Sequence, residues 1–153
     1  MLVSQRFPRI ETLIDHRGRM ALVDELVAVE GRSARCRASI RSDNPFLVGQ
    51  RLPNWALLEY IAQTVAAYAG YIHQANDRAH HRGLLLGCRN LQLAKFNAVV
   101  GDQLELFVEE TAILENLGSF GGKVWYEGLE VASGTLLVYE SPEWPDPAGL
   151  GNT

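Results

Sequence analysis

Residues 53–71 read PNWALLEYIAQTVAAYAGY, and the fold turns on this stretch. It opens on a proline and an asparagine and meets no further proline or glycine until Gly70, so it predicts one long helix with Asn54 as N-cap. Leu57, Leu58, Ile61, Ala62, Val65, Ala66 and Ala69 cover most of the helical circumference, which predicts burial on several sides. Glu59 and Gln63 near the middle, with Asn54 at the start, are too polar for a membrane span. The rest of the chain must therefore wrap around this helix.

Working outward, residues 20–40 half-alternate. Leu22, Leu26 and Val29 are followed by Ala34, Cys36, Ala38 and Ile40, with a break at residues 30–33, which reads as strand, turn, strand. After a loop at 74–83 come four further strand-like runs at 84–96, 102–114, 118–129 and 131–140, joined by short turns at 97–101 and 115–118. About six antiparallel strands have an apolar face to cover, and the helix is the element available to fill it. The expected class is α+β, with the sheet wrapped around one long central helix, an order of elements similar to the hot-dog fold. The expected division is a single domain over residues 1–140 and a loose Pro/Gly-rich tail over 141–153.

Composition narrows function by exclusion. With 153 residues, 47% of them hydrophobic, the chain can bury a core without disulfides or metal. A net charge of -4, from 14 basic and 18 acidic residues, gives no overall attraction to nucleic acid or anionic membrane. Nothing near the N-terminus reads as a secretory signal, so a cytoplasmic location is expected. Cys36 and Cys88 lack any metal-ligand or redox spacing and read as free thiols. Nucleotide-binding glycine motifs are absent, and Leu117 breaks the nucleophile-elbow pattern around Ser119.

Glu59 stands out because a carboxylate set among Leu57, Leu58, Ile61 and Ala62 must give up water or face a cavity. Burial favours the protonated form of a carboxyl, which suits a general acid. Spacing leaves a second reading open, a narrow solvent-facing strip shared with Gln63 one turn on. His16 lies in a polar loop before the first strand, where catalytic groups are often placed, although a loop histidine is usually only solvated. His73, His80 and His81 have no partners at ligand spacing and read as structural.

Residues 16–24, HRGRMALVD, followed by residues 53–63, PNWALLEYIAQ, resemble the paired signature of 3-hydroxyacyl-acyl-carrier-protein dehydratases. Within that family, NPFL at 44–47, AAYAG at 66–70 and LLGCR at 85–89 are similar to the short dehydratase-like proteins of aryl-polyene biosynthesis. The resemblance implies His16 and Glu59 as the acid/base pair, Asn54 and Trp55 with Gln63 on the substrate side, and the Asn54 backbone amide as donor to the thioester oxygen. It implies no cofactor beyond the phosphopantetheine arm that carries the substrate. It also implies an acyl carrier protein as partner, for which Arg17, Arg19, Arg82, Arg89 and Lys95 are candidate docking cations. A homodimer or a heterodimer with a paralogous dehydratase, or a higher oligomer, is expected, with His16 of one subunit facing Glu59 of the other. Three departures stand against the signature: Arg19 where a proline is usual, Asn54 where a glycine is usual, and no His-Phe-Pro-Gly run. The altered loop and Asn54 sharpen one rival, a non-catalytic partner subunit; a second is a hot-dog thioesterase using a helix carboxylate to activate water, over which the pairing of His16 with Glu59 favours dehydration.

Overall fold

A computed structural model describes residues 6–79 and 82–141. Strands β1 (Glu25–Glu30) and β2 (Ser33–Ser39) form a hairpin, helix α1 (Leu57–Ala75) follows, and then come β3 (Arg82–Leu93), β4 (Gln103–Leu114), β5 (Leu117–Tyr126) and β6 (Leu129–Ser141). The six strands make one antiparallel sheet in the order β1-β2-β4-β5-β6-β3. This is the expected α+β arrangement. Of the tail expected from residue 141 onward, Ser141 belongs to β6, where it pairs with Arg82, and residues 142–153 lie outside the described ones.

Period-two alternation sets which face meets the helix. Ala34, Cys36 and Ala38 of β2 are buried while Arg35 and Arg37 point outward. Their partners in register are Val108, Leu106 and Leu104, and Leu106 in turn pairs with Val124. These buried rows pack on Leu57, Tyr60, Ile61 and Val65 of α1. At position 122 there is no room for a side chain, since a Cβ on Gly122 would collide with Ile61 Cγ2. The tight β5–β6 turn uses Glu127 and Gly128, both at positive φ (51° and 79°), the conformation a two-residue hairpin loop demands.

Three local expectations are corrected. The first strand begins at Glu25 rather than near residue 20, because the Leu22 and Val23 amides donate to the Gln63 side chain instead of a neighbouring strand. The helix runs past the expected end near Tyr71 to Ala75, and Gly70 within it serves a close approach by another segment. Asn54 does not cap the helix. It begins a 3-10 turn, Asn54–Ala56, capped without a side chain, and its Nδ2 donates to the Ala94 carbonyl at 3.2 Å.

Candidate active site

The segment before β1 carries His16 and is fixed at several points. Leu13 and Ile14 are buried, and the Arg17 guanidinium donates to the carbonyls of Glu11, Ile14 and His16 at 2.6–2.8 Å, closing the loop on itself. Leu13 lies directly against the helix at Gly70, where a Cβ would collide with its carbonyl oxygen. Gln63 holds the other end of the segment. Fully buried, its Oε1 accepts from Leu22 N at 2.8 Å and Val23 N at 3.4 Å, and its Nε2 donates to Met20 O at 2.7 Å. The segment is thus laid back along α1, and His16 comes to rest over Glu59.

His16 Nε2 stands 3.5 Å from Glu59 Oε1, with side chains 35% and 31% exposed. That separation is long for a hydrogen bond and leaves both groups available to a third. Gln63 Nε2 also donates to Glu59 Oε1 at 3.0 Å, so that carboxyl oxygen is held as an acceptor. His16 Nδ1 is buried without a hydrogen-bond partner among the described residues, so packing and the Arg17 loop orient the ring. Both side chains open on a cavity of about 180 Å³, walled by Leu13, Ile14, Val65, Ala66, Leu85 and Val138. The arrangement is an acid/base pair at the end of an apolar pocket, a setting for proton transfer on a largely hydrophobic substrate.

The two catalytic candidates and Gln63 are therefore together, and they are together within one chain. The contacts of Leu13 with Gly70 and of residues 20–23 with Gln63 bring His16 to Glu59 of its own chain, where the expectation places the two on different subunits. Asn54 and Trp55 are elsewhere: they line a separate open depression with Arg51, Leu52, Lys95 and Phe96, where the exposed Trp55 stacks edge-on to Phe46. Gln63 organises the site from behind, since its amide is fully engaged by protein groups. Of the candidate docking cations, Arg17 is occupied by backbone carbonyls, while Arg19, Arg82, Arg89 and Lys95 are exposed, Arg82 and Arg89 both on β3. His80 and His81 lie outside the described residues. Sequence reading passed over a second buried contact, His73 Nε2 to Glu140 Oε2 at 3.2 Å. Its signal was the helical face 59, 62, 66, 69, 73, which leads from Glu59 to His73. Among the described residues no group of three or more potential ligands is positioned to hold a metal ion.

One long helix held in a six-stranded antiparallel sheet defines the hot-dog fold. Within that class the chain belongs to the ApeP-like family: the family model, described as ApeP dehydratase, matches residues 8–148. A curated relative, the 3-hydroxyacyl-[acyl-carrier-protein] dehydratase FabZ of Alkaliphilus metalliredigens (strain QYMF), is 27% identical over 136 residues, 85% of this chain and 89% of the relative. The dehydratase heterocomplex ApeI:P from Xenorhabdus doucetiae contains a chain similar in fold, with a TM-score of 0.81 at 24% identity, covering 95% of this chain and 96% of that one. A hypothetical thioesterase protein with coenzyme A from Streptococcus pneumoniae TIGR4 shares the fold at a TM-score of 0.59 and 10% identity, over 76% of this chain and 84% of its own.

Proposed function

We propose that the chain dehydrates a 3-hydroxyacyl thioester carried on acyl carrier protein to the trans-2-enoyl thioester, in fatty-acid or aryl-polyene type biosynthesis. The observation that carries this reading is the His16–Glu59 pair, placed together at an apolar cavity with Gln63 holding one carboxyl oxygen. His16 Nε2 takes a proton from C2. As the C2–H electrons form the C2–C3 double bond, the C3–O bond breaks and the hydroxyl leaves as water with the proton from Glu59. The site then holds an imidazolium beside a carboxylate, and water that enters once the product has left takes the proton from His16 and returns one to Glu59. No step calls for a metal or organic cofactor.

The enolate-like charge on the thioester oxygen needs a donor. In this reading the Asn54 backbone amide and Trp55 serve the substrate where a second chain brings their depression to the cavity. The partner we favour is a paralogous dehydratase, by analogy with the ApeI:P heterocomplex. Strand β3 supports such pairing, because it is a sheet edge with Leu84, Leu85 and Leu86 exposed along it. Among the described residues no helix is long and apolar enough to cross a membrane.

The test is mass spectrometry of the purified chain incubated with a panel of 3-hydroxyacyl carrier-protein thioesters. Loss of water is expected. Release of free thiol would make the protein a thioesterase. Inactivity alone, with water loss appearing only on addition of a dehydratase paralogue and surviving His16→Ala, would make it a non-catalytic partner subunit.

A further inference from the structure

The segment that carries His16 has a second anchor besides Gln63. Gln63 takes the Met20 carbonyl and the Leu22 and Val23 amides; the Arg41 guanidinium takes the Ala21 carbonyl between them through Nη2, and Asp24 Oδ1 through Nη1 at 2.5 Å. Its Nε faces Asp43 Oδ1 at 3.7 Å. Asp24 is itself fixed to β2, where its Oδ2 accepts from Ser39 N at 2.5 Å and its amide donates to the Arg37 carbonyl at 3.0 Å. Arg41 also has a firm base. Its carbonyl accepts from Asn44 N at 3.1 Å, and Asn44 Nδ2 donates at 2.8 Å to the hydroxyl of Tyr60, which is fully buried on α1 beside Glu59 in the chain. The anchor thus reaches the helix that carries Glu59 by a route of its own.

The Arg41 and Asp24 side chains are 37% and 34% exposed, and an ion pair so open to water adds little to global stability. What it can fix is position. The planar fork offers two donors at a set separation to two acceptors three residues apart on one segment, so it dictates the path of that segment as well as holding it. His16 depends on such support, because its Nδ1 has no hydrogen-bond partner among the described residues and its Nε2 stands 3.5 Å from Glu59. The ring therefore takes its place from the backbone, held upstream by Leu13 and Arg17 and downstream by residues 20–24. Arg41 does not line the His16–Glu59 cavity. With Arg17, Ala21, Val23 and Asp24 it lines a separate hollow of about 280 Å³ that His16 also borders, so it reaches the reacting groups only through the segment.

We propose that Arg41, braced by Asp24, is a positioning residue for His16, its fork holding the segment so that the imidazole stays over Glu59. This rests on the dehydratase reading for what the aligned pair does, and on the contacts above for the alignment.

The test compares Arg41→Met, Arg41→Lys and Arg41→Ala with the wild-type chain. With chemistry rate-limiting, Arg41→Met should lower kcat by about tenfold or more and leave KM within about twofold, the mark of lost alignment. Arg41→Lys keeps the charge without the fork and should recover only part of the loss. Added guanidinium ion should restore turnover in Arg41→Ala where methylammonium at the same concentration does not. In NMR spectra the His16 ring signal, assigned by its absence from His16→Ala, should move in Arg41→Met toward that of an unstructured histidine. Exchange at the Leu22 and Val23 amides should quicken by about tenfold or more while the amides of the β2–β4 ladder keep their rates. Unchanged kcat would overturn the proposal, as would full recovery by lysine, which would make charge alone sufficient. Ladder amides quickening as much as Leu22 and Val23 would overturn it too, since the loosening would then be general. The ring signal and the exchange rates need no turnover. If the wild-type chain draws water from no thioester, the dehydratase reading falls; the positioning role then stands with a displaced His16 signal in Arg41→Met and falls with an unmoved one.

Discussion

His16 and Glu59 are brought together by a loop folded back over a helix, whereas His73 and Glu140 are joined by a helix end and a strand of the sheet. Both pairs have the same chemistry. The first is 3.5 Å apart and about one-third exposed; the second is 3.2 Å apart with its histidine nearly enclosed. In the first, Gln63 occupies one carboxyl oxygen and Arg17 the surrounding carbonyls, so the partners are oriented by other groups and the space between them stays open. In the second, the partners hold each other and fasten the last turn of α1 to β6. The difference teaches that what else holds its members decides whether a histidine–glutamate contact is a candidate reaction site or a fastening.

Substitution should separate the two most sharply in turnover. His16→Ala and Glu59→Gln are each expected to lower the dehydration rate by about a hundredfold or more, the scale for removing a positioned acid or base. Refolding the two variants together, with mixed dimers verified by differently tagged chains, should restore nothing, because each site keeps its own defect. Recovery toward a quarter of wild-type activity would show that the site is shared across subunits after all.

A substitution that touches neither pair should damage only the first. In Gly70→Ala the new methyl meets the Leu13 carbonyl, and the overpacked contact should cost about 1–3 kcal/mol. The loop carrying His16 shifts with it, so turnover should fall by about tenfold or more through lost alignment. Calorimetry together with initial rates checks both; an unchanged rate in a destabilised protein would show that the loop does not set the position of His16.

The second pair should register in stability. Replacing His73 by Gln removes a contact that is partly screened at Glu140, and a loss of about 1 kcal/mol in urea denaturation is expected. No loss would mean that the pair fastens nothing.

The smallest effect at neutral pH comes from buried groups belonging to neither pair. Burial pushes the Cys36 thiol up from about 9 to about 12 and the Tyr60 hydroxyl from about 10 to about 12. Their folded values lie above the unfolded ones, so the stability they contribute is complete below the unfolded values and is lost as pH rises through the folded ones. The urea midpoint should accordingly hold to about pH 9 and decline toward about pH 12. A flat alkaline limb would count against burial of both groups.

The helix and the sheet were legible because their signals are local: a long unbroken apolar segment, alternation at Leu104, Leu106 and Val108, and glycine-marked turns. Glu59 was legible for the same reason, as a charge out of place among its neighbours. What the local pattern could not carry were contacts between distant segments. The need for a glycine at position 70 is invisible until Leu13 is seen lying against it. Residues 20–24 read as strand because Leu22 and Val23 are apolar, yet a side chain 40 and 41 residues away takes their amides. Glu140, 67 residues from His73, gave no sign of its partner. Asn54 fits every rule for a cap, but the Ala94 carbonyl competes for its side chain.

Gln63 has a kinetic consequence as well. Its bond to Leu22 closes a loop of 41 residues, and closing an open chain of that length costs ~3 kcal/mol or more, while the hydrogen bonds gained contribute ~1 kcal/mol each. The clamp becomes favourable only after the β1–β2 hairpin has docked on the helix and shortened the loop. The segment bearing His16 is thus among the last parts to settle during folding and among the first to open in the native state. Hydrogen exchange at Leu22 and Val23 would read that opening directly, and a molecule so opened has parted His16 from Glu59 while every strand of its sheet is still paired.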